Sequence, residues 1–115
     1  MFQPIWRPAA ESEYRRLRGE AERSLRDRTG TKGKKATAAE GLFKQVHGCV
    51  QKLLDNPRHP GLHTHKYDSI PNPYKKGEPV FEAYAQNATP GAYRVFWCFG
   101  PGQKQITLIA ITPHP

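Results

Sequence analysis

Arg94 stands inside Ala92–Phe99, a run of aromatic and β-branched residues of the kind strands prefer. A charged side chain there has no packing purpose. It either does chemistry or pairs across strands with a carboxylate, for which Glu82 is the candidate. His114 follows the last apolar run and has two readings, a general acid or base and a frayed terminal residue. His63, His65 and Lys66 fall in a short extended segment, where alternation sends the two imidazoles to one face and the lysine to the other. An H-x-H pair on a strand can bind metal, and His59, His63, His65 and His114 are the imidazoles available. No cysteine or carboxylate is placed to complete such a set, so neither metal nor cofactor is expected.

The charge points to the partner. The chain has 115 residues and a formal net charge of +8, with 18 Lys and Arg against 10 Asp and Glu. A small domain this basic suits a polyanion or an acidic protein. The excess is densest at the start, where residues 1–35 carry ten lysines and arginines against five acids. Lys32, Lys34 and Lys35 lie in a glycine-containing run without an apolar residue, which is either a contact for a nucleic-acid backbone or a solvated linker. Its glycine spacing is too short for a phosphate-binding loop. Among the strand aromatics, Tyr84 shares a face with Glu82 and is the one candidate for stacking on a base.

The elements that must hold these residues follow from periodicity. Residues 8–26 form a basic helix with a narrow apolar stripe of Ala10, Tyr14, Leu17, Ala21 and Leu25, and residues 27–36 form a basic loop. Thr37-Ala38-Ala39-Glu40 is a capping box that opens a second helix, 37–55, with Leu42, Val46, Cys49, Val50, Leu53 and Leu54 on its inner face. Asn56-Pro57 stops it. Prolines and glycines keep 69–79 irregular, and strands are expected at 64–67, 80–86, 92–99 and 105–112. Helices followed by consecutive strands give one α+β domain, 1–115: an N-terminal helical hairpin packed on a three- to four-stranded antiparallel sheet spanning 64–112. No apolar run approaches the roughly 18 residues of a membrane span and no signal peptide is visible, so a cytoplasmic protein without a membrane partner is expected. Two cysteines are too few for a disulfide scaffold.

Four short words in this order resemble the RelE/ParE superfamily of bacterial toxins from toxin–antitoxin pairs. They are Asp55-Asn56-Pro57-Arg58-His59-Pro60-Gly61-Leu62, Phe81-Glu82-Ala83, Tyr93-Arg94-Val95-Phe96 and Ile109-Ala110-Ile111-Thr112-Pro113-His114, and the resemblance covers roughly two thirds of the chain. It implies a toxin neutralised by a small acidic antitoxin. RelE-like members cut mRNA, usually on the ribosome, and ParE-like members inhibit DNA gyrase. A non-catalytic RNA- or protein-binding relative is a further alternative. The RelE-like branch is favoured here because an inhibitor needs no acid–base pair. Metal-free cleavage of this kind uses the ribose 2′-hydroxyl as nucleophile and needs a base, an acid and positive charge at the phosphorus. By the resemblance, Arg94 contacts the scissile phosphate, which its fixed fork suits, while His114, His65 and Lys66 are the other catalytic candidates. Lys32, Lys34, Lys35, His63 and Tyr84 are the RNA-binding ones. The chain departs from the family in its longer first helix, in the inserted loop, and in having Pro113 and Pro115 around His114 where many members carry an aromatic residue.

Overall fold

The computed structural model describes residues 1–30 and 35–114. Its elements are β1 (Gln3–Trp6), α1 (Pro8–Thr29), α2 (Ala38–Asp55), a 3-10 turn (Pro60–Leu62), β2 (His65–Lys66), β3 (Phe81–Tyr84), β4 (Tyr93–Phe99) and β5 (Gln105–Pro113). Pro8 starts α1, where its missing N–H costs nothing, and the helix runs past the expected residue 26 to Thr29. Arg26 and Arg28 in its last turn complement the negative end of the helix dipole. The apolar stripe is not left open as a docking seam: Ala10, Leu17 and Ala21 are buried, and only Leu25 at the far end is well exposed.

The capping box of α2 forms as the sequence requires, with the Thr37 hydroxyl accepting from the Glu40 amide. Glu40 does a second job. Its carboxylate receives Arg28 from the end of α1 at 2.6 Å and the Ser24 hydroxyl at 2.9 Å, tying the tips of the two helices together. The Arg28 hydrogen bonds hold the Glu40 carboxyl down at about 2.

The sheet differs from expectation. It has five strands in the order β1-β5-β4-β3-β2 and is mixed, because β1 pairs in parallel with β5. Nothing local announces β1: its four residues include Pro4 and do not alternate, and its partner lies about a hundred residues away. Pro4 is tolerated because β1 is an edge strand. The remaining pairs are antiparallel. A bulge between Phe96 and Trp97 sets Ala110 and then Leu108 opposite them and leaves Ile109 extra. The bulge shifts the alternation of β5, so that Ile106, Leu108 and Ile111 all reach the core. This is why β5 reads in sequence as nearly continuous apolar residues.

Both helices pack on one face of the sheet, where Val46, Cys49, Val50, Leu53 and Leu54 meet Ala83, Val95, Trp97, Ile106 and Leu108. Burial pushes the Cys49 thiol up to about 12, which fits a core residue rather than a nucleophile. One end of the opposite face is covered by the 67–80 loop, with the Tyr67 ring 4.6 Å from that of Phe96 and the Tyr74 hydroxyl 2.8 Å from that of Thr107. The other end of that face holds the polar side chains below. Among the described residues, no helix is long and apolar enough to cross a membrane.

Candidate active site

Strand register assembles the site. Ala83 and Val95 face the helices, so Glu82, Tyr84 and Arg94 face the other way. Tyr84 lies opposite Arg94, His65 opposite Glu82, and Thr112 opposite Arg94, with His114 two residues further on. The His114 amide donates to the Ala92 carbonyl at 2.8 Å, which carries the ladder past the last strand residue and sets the side chain beside Arg94's strand.

Glu82 is the centre. Its side chain is 2 % exposed, yet three basic groups surround it. His65 Nε2 lies 2.6 Å from Oε1, while His114 Nε2 lies 3.7 Å and Arg94 Nε 4.0 Å from Oε2. His65 Nδ1 is 3.0 Å from the His63 carbonyl, which can only accept. The His65 ring therefore donates there, and its Nε2 faces Glu82 across the short contact. Among the described residues, Oε2 of Glu82 and Nε of Arg94 are both buried without a hydrogen-bond partner. The two histidines are about half exposed, 47 % each, and form the solvent side of the cluster.

Arg94 is 9 % exposed and held from several sides. Its guanidinium carbon sits 3.6 Å from the centre of the Tyr84 ring, and Nη1 donates to the carbonyls of Gln86 and Tyr93. Contact with Glu82 was one of the two readings of Arg94, and it is present together with the others. Glu82 carries more of the site than a cross-strand partner for Arg94 would, because His65 and His114 also meet it. The available signal was a carboxylate between Phe81 and Ala83 on the same strand face as Tyr84.

The other candidates divide. His63 is exposed, with its ring 5.2 Å from that of Tyr84, and His65 meets Tyr84 edge-on at 5.8 Å. Arg94 and these imidazoles therefore surround Tyr84, which supports the guanidinium rather than offering an open platform for a base. Lys66 pairs with Phe81 and stands on that residue's face, away from Glu82. Lys35 lines a shallow cleft at the helix tips with Glu20, Asp27 and Arg28 and is not brought to the cluster. Lys32 and Lys34 lie outside the described residues. His59 closes its own turn, its Nδ1 accepting from the Gly61 amide at 2.9 Å. Among the described residues, no group of three or more His, Cys, Asp or Glu is arranged to hold a metal ion.

Solved structures resemble the fold over the length of the chain. The chain matches the YoeB/ParE toxin from Agrobacterium tumefaciens with a TM-score of 0.60 at 7 % identity, covering 98 % of this chain and 99 % of that one. It matches the intact E. coli RelBE toxin–antitoxin complex at 0.55 and 11 % identity, over 100 % and 99 % of the two chains. The chain has the RelE/ParE toxin fold. The YoeB–YefM complex from Staphylococcus aureus aligns with a TM-score of 0.51 and 10 % identity, again over 100 % of this chain and 99 % of that one. No family model and no curated protein matches the sequence. At such identities the likeness speaks for the fold, and the activity must be argued from the site.

Proposed function

We propose that this chain is the toxin of a toxin–antitoxin pair and a metal-independent endoribonuclease that cleaves mRNA on the translating ribosome. The observation that carries this reading is the Oε2 atom of Glu82: buried, without a hydrogen-bond partner among the described residues, and faced by Arg94 Nε at 4.0 Å and His114 Nε2 at 3.7 Å. Burying such charges half-satisfied is costly, and apolar residues of similar volume would serve the fold as well or better. A cost of this kind held at one place in a sheet points to chemistry.

The roles follow from the contacts. Glu82, its other oxygen held by His65, takes the proton of the 2′-hydroxyl. The O2′–P bond forms and the P–O5′ bond breaks. His114 gives its proton to the departing 5′-oxygen, and Arg94 supplies positive charge at the phosphate. The products are a 2′,3′-cyclic phosphate and a 5′-hydroxyl. The acid–base work and the charge stabilisation are each expected to contribute about 10²- to 10⁴-fold. The basic surface of α1 and the loop after it would serve ribosomal RNA or an acidic antitoxin, and the site of action is the cytoplasm.

The test is induced expression in a bacterial host, wild type beside Arg94→Ala, with transcript ends mapped. New ends in translated messages, absent in the variant and suppressed by a co-expressed cognate antitoxin, are expected. Growth arrest with intact transcripts and altered supercoiling would replace the reading with gyrase inhibition.

A further inference from the structure

The turn between β3 and β4 contains an irregular pairing that bears on Arg94. The register that sets Tyr84 opposite Arg94 brings Tyr93 opposite Ala85, with Gln86 one residue beyond. The Ala85 and Gln86 amides both donate to the Tyr93 carbonyl at 3.2 Å. The Tyr93 amide donates at 3.0 Å to the side-chain Oε1 of Gln86. The main-chain carbonyl of Gln86 accepts Nη1 of Arg94. The same side chain is anchored at its other end, where Nε2 donates to Oε1 of Gln45 on α2 at 3.0 Å.

We propose that Gln86 is a positioning residue for Arg94: its side-chain amide, held between the Tyr93 amide and Gln45, fixes the Gln86 main chain so that its carbonyl aims the guanidinium at the phosphate. The inference rests on the proposed role of Arg94 in phosphate binding. It extends that role by naming what holds the group from behind, with Gln45 linking the clamp to the helical layer. A neutral amide suits the task. It offers an acceptor to Tyr93 and a donor to Gln45.

The test compares Gln86→Leu, which removes both contacts at similar size, with Gln86→Glu, which keeps an acceptor for the Tyr93 amide. Cleavage of message by programmed ribosomes gives kcat and KM. A misplaced catalytic group of this kind costs on the order of 10²-fold. Gln86→Leu is therefore expected to lower kcat by about 10- to 100-fold with KM within about twofold, and Gln86→Glu to recover most of the rate. In an Arg94→Lys background, Gln86→Leu should cost less than about twofold, because a residue that acts through another is not additive with it. Full additivity with Arg94→Lys, or a Gln86→Leu protein that melts lower but turns over normally, would overturn the proposal. A wild type that cleaves nothing would instead defeat the reading of the site. Exchange of the Arg94 Nη1–H signal would then decide the clamp alone, with faster exchange in Gln86→Leu supporting it and unchanged exchange refuting it.

Discussion

Neighbouring residues along β3 and β4 meet opposite environments. Ala83, Val95 and Trp97 look toward the helices and are packed among apolar side chains, while Glu82 and Arg94, one residue away on each strand, look the other way. The first face is packed with apolar side chains, and the Trp97 indole N–H is buried among them. The second buries a carboxylate and a guanidinium whose Oε2 and Nε have no hydrogen-bond partner among the described residues. A sheet five strands wide thus separates stability from chemistry by the period of two alone. Each can be changed with limited effect on the other.

The sharpest separation is expected at His114. It is half exposed, so His114→Ala should lower cleavage by about 10²- to 10⁴-fold while moving the melting temperature little. A variant that loses both in parallel would mean that the two faces are not independent. The converse is Leu53→Ala on the helical side. Leu53 is fully buried, and its truncation should cost about 2–5 kcal/mol in denaturant unfolding with the cleavage rate per folded molecule unchanged. Replacing the charged pair by apolar residues, Glu82→Met with Arg94→Leu, tests why the charges are there. Cleavage should vanish, and stability should stay level or rise by about 1–4 kcal/mol. A marked loss of stability would show that the pair is structural.

The smallest effect belongs to the helix tips. Glu40 is held at about 2, below the ordinary carboxylate value, by Arg28. A depressed carboxyl stabilises the fold fully above its unfolded pKa and loses that contribution as pH falls toward the folded one. Thermal melts taken from pH 6 down to 2 should therefore decline less steeply in Glu40→Gln than in wild type, with cleavage at neutral pH unchanged. An identical decline in both proteins would assign the acid sensitivity elsewhere.

Much of this division was legible in the sequence because it is local. The capping box at Thr37 fixed the start of α2, and the apolar spacing of Val46, Cys49, Val50 and Leu53 fixed its inner face. Arg94 was conspicuous as a charge in an aromatic strand. Two things were not legible, for different reasons. β1 depends on a parallel partner at the other end of the chain, and a proline-containing tetrapeptide carries no period to reveal it. Glu82 was visible but ambiguous: a strand carboxylate reads equally well as a partner for a cross-strand arginine, and only the register that adds His65 and His114 around it gives it a second meaning. Tyr84 is the reverse case, an aromatic that looked available to a base until the structure placed Arg94 against its ring.

The most direct test of the central claim is the chemistry of the cut ends. Ribosomes programmed with a short message are incubated with the wild-type protein, and the new 3′ ends are analysed. The polar face of the sheet, working through the 2′-hydroxyl, should leave 2′,3′-cyclic phosphates, and a single 2′-deoxy substitution at the cleavage position should abolish the cut there. An intact message, or cleavage that persists at the deoxy position, would contradict the account.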